Sequence, residues 1–226
     1  VLPLHDSDSV HPRGAPFMLR GRLTTGDPED TRITVRIDSV DDSNPSRKVV
    51  LTPQGDGDFE RLVDLEGDVL QAVFMTHDHE SEPIRIRLVD PPSIESTMLT
   101  IIPPDYADSV VEGVRIDLGT GHDFRSSPET PFLEGSTASF IFDMKKPLPV
   151  PDPMDEQWLE TTFGQLGVGA TFSVDSNDPS IWYLERELEE RIGSVFTLVD
   201  EHGILNPDEI TFTIDVVEDR FPVTVI

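Results

Sequence analysis

"VFMTHDHESEPIRIRLVDPP" (residues 73–92) joins two apolar runs through a polar turn and stops at a double proline. In its second half Ile84, Ile86 and Leu88 share one face of an extended chain, while Arg85 and Arg87 point the other way. That period of two marks a half-buried antiparallel strand. Pro91 and Pro92 lack the N–H groups a ladder needs, so the stretch reads as a hairpin that closes a unit. His77 and His79 raise a different reading, because a His-x-His pair on a strand turns both rings to one face and can chelate zinc or copper. Here the pair lies between Met75 and Pro83, at the hairpin apex, and Asp78 and Glu80 alternate away from it. A structural metal site needs two further convergent ligands, so the turn is the reading adopted.

The same ending recurs in "VFTLVDEHGILNPDEITFTIDVVEDRFP" (195–222). There Ile210, Phe212, Ile214 and Val216 share a face opposite Thr211, Thr213 and Asp215. Two closing hairpins imply two domains. We place one β-sandwich at 1–92 and a second at 93–219, with a long insertion near 145–165. Residues 220–226 then begin a linker to a further module, with "EDRFP" (218–222) in the part of the double proline and Val223 and Val225 opening a new strand. The chain's 226 residues suit two such sandwiches, and its Val start reads as a piece excised from something larger.

Strand candidates in the first unit recur about every ten residues: 16–23, 31–37, 47–53, 58–65, 68–76 and 82–90, separated by turn-rich stretches. In the second they fall at 96–102, 112–118, 137–144, 167–174, 194–199 and 209–217. "SIWYLERELEERIG" (180–193) is ambiguous. Its Glu, Leu and Arg favour a helix, whereas period two aligns Trp182, Leu184 and Leu188 where a sandwich needs its penultimate strand. We take it as a strand. "PVPDPMDEQWLETTFGQ" (149–165) reads as an inserted loop with a short helical turn at 155–160.

Composition narrows the function. A formal charge of −27 excludes unaided nucleic-acid binding and disfavours anionic membrane surfaces. It suits cations or basic partners, and equally a solvated exterior. The acids concentrate in the second unit, with 26 against 7 basic residues over 93–226, compared with 18 against 10 over 1–92. No cysteine is present, which removes disulfides, thiol catalysis and cysteine-ligated metals. No apolar run is long enough to span a bilayer.

The run 53–108, with its "DGDF" turn-strand, aromatic strand, polar turn at Ser81, return strand ending "VDPP" and "IIPPDY" beyond, resembles a junction in large membrane-anchored bacterial proteins. Their extracytoplasmic regions string together immunoglobulin-like modules. "LVDEHGILNPDEITFTIDVVEDRFP" is similar to the end of such a module. The resemblance departs at the long 145–165 insertion and at the acidic, two-histidine turn. It implies an all-β chain of two tandem immunoglobulin-like antiparallel β-sandwiches in the periplasm or at the cell surface. The expected role is non-catalytic: a spacer or protein-interaction module whose partners are proteins or neighbouring modules. The alternative is a calcium-dependent adhesion or glycan-binding module.

Three stretches offer closely spaced oxygens of the kind calcium takes: "SVDSNDPS" (173–180), "DSVDDSNPS" (38–46) and "GDGD" (55–58). Within the first, Asp175, Asn177 and Asp178 are the candidate ligands, and "DSNDP" loosely resembles the linker motif of cadherin repeats. None has EF-hand spacing, and Asp and Asn are common in turns because they bond their own backbone. No other cofactor is expected. No nucleophile elbow or phosphate loop occurs, and "GTGHD" (119–123) lacks both a Lys and a following helix. Trp182 and Tyr183 are neighbours on opposite strand faces and form no stripe with Trp158, so core packing is expected of them rather than an aromatic platform.

Overall fold

The computed structural model describes residues 1–28, 30–41, 44–107, 112–120, 123–126, 131–152 and 154–218. The described residues are mostly β-strand with one short α-helix, and the chain divides into two compact units, Val1–Pro91 and a second that starts at Pro92.

The first unit runs β1 (Leu2–Pro3), β2 (Asp8–Pro12), β3 (Phe17–Arg22), β4 (Thr34–Ser39), β5 (Arg47–Val50), β6 (Thr52–Gly55), β7 (Asp58–Val63), β8 (Val69–Met75) and β9 (Ile84–Val89). These form a four-stranded sheet, β1-β3-β7-β6, and a five-stranded sheet, β2-β9-β8-β4-β5. Inward residues of both sheets, among them Leu19, Phe59, Val35, Phe74 and Ile86, belong to one buried cluster. Alternation is strict where one face is wet: Phe17 and Leu19 are buried on β3, and Val35 and Ile37 on β4. At about 1.5–3 kcal/mol per fully buried large apolar side chain, this shared face is the main source of stability. Gly21 is the exception that fits, because a Cβ there would meet the Phe74 ring at 3.0 Å.

The expected single strand at 47–53 is two. Buried Leu51 carries the chain from β5, which pairs with β4, to β6, which pairs with β7 in the other sheet. Pro53 fits there because β6 is an edge. The N-terminal segment also divides, with β1 antiparallel to β3 and β2 parallel to β9. Arg13 then ties β2 to the hairpin, bonding Asp68 at 2.7 Å and Asp90 at 2.8 Å.

The second unit runs β10 (Ile94–Ile102), β11 (Val114–Gly119), β12 (Asp123–Arg125), β13 (Phe132–Leu133), β14 (Ser136–Met144), α1 (Glu156–Phe163), a 3₁₀ turn at Gly164–Gly167, β15 (Thr171–Val174), β16 (Ile181–Leu188), β17 (Ile192–Phe196), β18 (Ile210–Ile214) and β19 (Val216–Val217). Its sheets are β11-β10-β14-β16-β15 and β12-β18-β17, with β13 and β19 as a separate parallel pair. β16 settles the ambiguous stretch: all eight of its residues pair with β14, and Trp182, Leu184 and Leu188 are buried.

The segment read as an inserted loop is part of the core. Asp155 caps α1 by accepting the Trp158 N–H at 2.8 Å, and Leu159 and Phe163, one turn apart, are buried. Phe163 and Leu166 are both 0 % exposed. The Phe163 ring lies 5.3 Å from Phe196 and 6.0 Å from both Phe142 and Trp182. Gly164 ends the helix at φ 59°, and Gly167 packs so tightly that a Cβ would sit 2.1 Å from the Leu159 carbonyl oxygen. The segment is held to β17 by side-chain bonds where a ladder would run: Gly193 N–H donates to Gln165 Oε1 at 2.9 Å, and Leu166 N–H to Ser194 Oγ at 3.3 Å.

Candidate functional site

The three calcium candidates lie in the turn between β15 and β16. Asp175 Oδ1 accepts the N–H groups of Asn177 at 2.8 Å and Asp178 at 3.2 Å, and its Oδ2 accepts the Tyr183 hydroxyl at 3.1 Å. These bonds hold the Asp175 carboxyl below the usual carboxylate range. Asp178 Oδ1 accepts both the hydroxyl and the N–H of Ser180, with the same effect on its carboxyl. Both Asp175 oxygens and one of Asp178 are thus engaged in organising the turn. In the other two stretches Arg36 engages Asp38 at 2.9 Å and Arg22 engages Asp58 at 2.5 Å; Asp42 and Ser43 lie outside the described residues.

His77 and His79 are exposed at the β8–β9 apex. Thr76 N–H donates to His79 O at 2.8 Å, and Ser81 Oγ accepts the Phe74 N–H at 3.0 Å, which closes the turn beneath them. Among the described residues, no group of three or more His, Asp or Glu converges on a metal position. Of "GTGHD", Gly121 and His122 lie outside the described residues, as do 219–222 of "EDRFP", Val223 and Val225.

One buried ion pair stands out, Lys146 Nζ to Asp200 Oδ2 at 2.8 Å, with the Asp200 side chain 2 % exposed. Asp200 also accepts the N–H groups of His202 and Ile204, at 2.8 and 2.9 Å. Burial pushes this carboxyl up, but Lys146 and the two amides outweigh it, and the group stays below the usual range. The pair pins the β17–β18 loop to the segment after β14. It is a structural clasp, since both partners are engaged within it.

Concave surfaces occur in both units, among them one of about 850 Å³ in the first lined by Arg32, Lys48, Met75, His77, Asp78 and Glu80; two in the second unit bear on binding. One, of about 570 Å³, is lined by Pro149, Val150, Trp158, Thr161, Trp182 and Leu198. Trp182 is buried, and α1 brings half-buried Trp158 to 6.2 Å from it, a juxtaposition that sequence spacing hides. Tyr183, on the opposite face, is 37 % exposed. The second, of about 310 Å³, opens beside β11 and is lined by Ile101, Val114, Ile116, Phe124, Phe132 and Leu133. β11 is the end strand of its sheet, and among the described residues only β10 pairs with it. An open strand edge beside an apolar crevice can take up another extended segment. No described helix is long and apolar enough to cross a membrane. Comparison with the models of known protein families finds no match, and none of the curated proteins matches either.

Proposed function

We propose that the chain is a pair of consecutive immunoglobulin-like β-sandwich modules that serve, outside the cytoplasm of a bacterial cell, as a non-catalytic spacer and protein-interaction region. One observation carries the reading. In each unit the last long strand has an antiparallel hairpin partner on one side and a parallel strand from an early segment on the other. In the first unit β9 lies between β8 and β2; in the second β18 lies between β17 and β12. The order β1-β3-β7-β6 over β2-β9-β8-β4-β5 also follows the immunoglobulin pattern, in which the first, second, fifth and fourth strands oppose a sheet built on the third, sixth and seventh. The second unit departs from this plan: α1 and its 3₁₀ turn stand beside β17, where the first unit has β4 beside β8, β11 adds a strand outside β10, and β13 and β19 form a separate parallel pair. The extracytoplasmic setting rests on the resemblance of residues 53–108.

The test is to produce residues 1–91 and 92–226 separately. Each is expected to show a β-type circular dichroism spectrum and its own cooperative unfolding transition. A piece that folds only with the other present overturns the modular reading. A second reading, glycan recognition, is favoured by the cleft at Trp158. Because both tryptophans line that cleft, titration with oligosaccharides followed by intrinsic fluorescence decides it: a saturable change supports this reading, and a flat signal removes it.

A further inference from the structure

We infer that the exposed edge of β11 is a self-recognition surface, and that its partner is the β11 of a second copy of this chain. The inference names a partner for the interaction module proposed above and rests on that reading for its biological sense, not for its geometry.

The strand reads Val114-Arg-Ile-Asp-Leu-Gly119; it pairs regularly with β10 from Val114 to Asp117, and a bulge at Leu118 shifts the register before Gly119. Ile116 and Leu118 pack on the core of the second unit, and Val114, 43 % exposed, lines the crevice beside it. Arg115 and Asp117 lie on the other face, where they are exposed. Asp117 makes one local bond, accepting the Gly119 N–H at 2.9 Å, and Arg115 has no ion pair among the described residues. An edge of this kind presents unpaired N–H and C=O groups to any strand of matching pattern.

The pattern matches itself. Two copies related by a two-fold axis normal to the sheet pair antiparallel, with equal faces on equal sides. Only registers that keep side chains of one face opposite one another are then allowed, because a one-residue slip inverts every side chain. Centring the axis on Ile116 sets Arg115 of each copy opposite Asp117 of the other. On the inner face it sets Ile116 opposite itself and brings Val114 against Leu118 at the bulge. Moving the centre to Arg115 or Asp117 sets like charges against each other, which directly opposed cross-strand positions disfavour. One register therefore satisfies both faces at once, and it makes the contact isologous, so it closes at two copies.

The other edges offer less. β1 spans two residues, β2 runs into Pro12, β5 carries adjacent Arg47 and Lys48, and β6 contains Pro53. β15 has no charged residue in its four positions, and β17 is flanked by the 3₁₀ turn, while β12 (Asp123–Arg125) has the same charge spacing over only three residues. The chain's −27 charge opposes association at a distance. At physiological salt, however, the screening length of about 8 Å leaves contact pairs effective while weakening the rest.

The experiment is sedimentation equilibrium of the whole chain at physiological salt, from micromolar to millimolar concentration. The average mass is expected to rise reversibly from monomer to dimer. Arg115→Glu and Asp117→Lys each oppose like charges and should each weaken self-association roughly tenfold. Mixed one to one, the two variants should form a heterodimer, since Glu then faces Lys and Arg faces Asp. The double variant R115E/D117K should associate as the parent does. Circular dichroism and melting curves that match the parent show that the variants fold. A parent that stays monomeric throughout, a dimer indifferent to R115E, or a mixture that does not associate overturns the inference. Each of these results leaves the modular reading standing, because that reading fails only if the separate units do not fold.

Discussion

Phe163 discriminates between a decorative insertion and a core element. Its side chain is fully buried among Phe142, Phe172, Trp182 and Phe196, with ring centroids 5.3 to 6.0 Å away. Truncation to Ala loses about 2 kcal/mol of transfer free energy for the ring. If the neighbours relax only in part, a residual void of roughly 80 Å³ adds about 2 kcal/mol at 24 cal/mol per Å³. The total, about 4 kcal/mol, should lower the urea midpoint of the second unit by roughly 2 M at a typical slope for a unit of this size. The chain's two tryptophans, Trp158 and Trp182, both lie in the second unit near this ring, so their fluorescence reads that unit alone while circular dichroism reads both. Thr161→Ala, on the exposed side of α1, is the control and should stay within about 0.5 kcal/mol. A loss below about 1 kcal/mol for Phe163→Ala would refute the assignment of α1 to the core.

Gly167→Ala should destabilise the second unit by about 3 kcal/mol, because its methyl would overlap the Leu159 carbonyl and force α1 away; urea unfolding measures it. Asp200 supplies a pH dependence whose sign follows from its depressed pKa. Its contribution is present above the unfolded value near pH 4 and is lost as pH falls through the lower folded value. Asp200→Asn should therefore cost about 2–4 kcal/mol at pH 7 and flatten the acid limb of the stability profile; an unchanged limb counts against the clasp. Asp175→Ala should lower the melting temperature of the second unit equally in millimolar calcium and in chelator, since its carboxylate already caps the turn. A cost that appears only with calcium contradicts this.

What could be read in advance was what side-chain periodicity encodes. Ile84, Ile86 and Leu88 on β9, and Ile210, Phe212 and Ile214 on β18, alternate without interruption, and both hairpins were legible from them. β16 was legible for the same reason despite its helical composition, because pairing with β14 along its whole length outweighs a propensity of a few tenths of a kcal/mol per residue. The strands that sequence reading missed are short or two-sided. β1, β12 and β13 span two or three residues each, too few for a period, and β2 (Asp8–Pro12) shows no alternation over its five; all depend on partners far along the chain. α1 was seen as only a short turn, because two buried residues, Leu159 and Phe163, are a thin stripe in a segment crowded with Pro, Asp and Glu. The crevice and the Trp158–Trp182 contact had no sequence signal, since both join segments that only the fold brings together.

The departure of the second unit from the first has a consequence for its edges. A sheet of three strands, β12-β18-β17, leaves the outer side of β17 without a strand neighbour. The chain answers with α1 and the 3₁₀ turn, whose Phe163 and Leu166 fill the core and whose Gln165 takes the Gly193 N–H. A helical segment closes that edge more securely than a strand would, because it offers no further row of free backbone groups to the outside. On the opposite side no such closure stands over β11 among the described residues, and the charges there alternate in sign along the outer face. Of the two ends of the larger sheet, β15 stops after four residues beside α1 and its turn, while β11 runs for six with a rim of apolar side chains at its back. A sheet edge costs nothing when it is short, but when it is long and patterned it is a preference for a particular partner. The proposed pairing of two copies through β11 rests on this unequal treatment of the two sides of the unit.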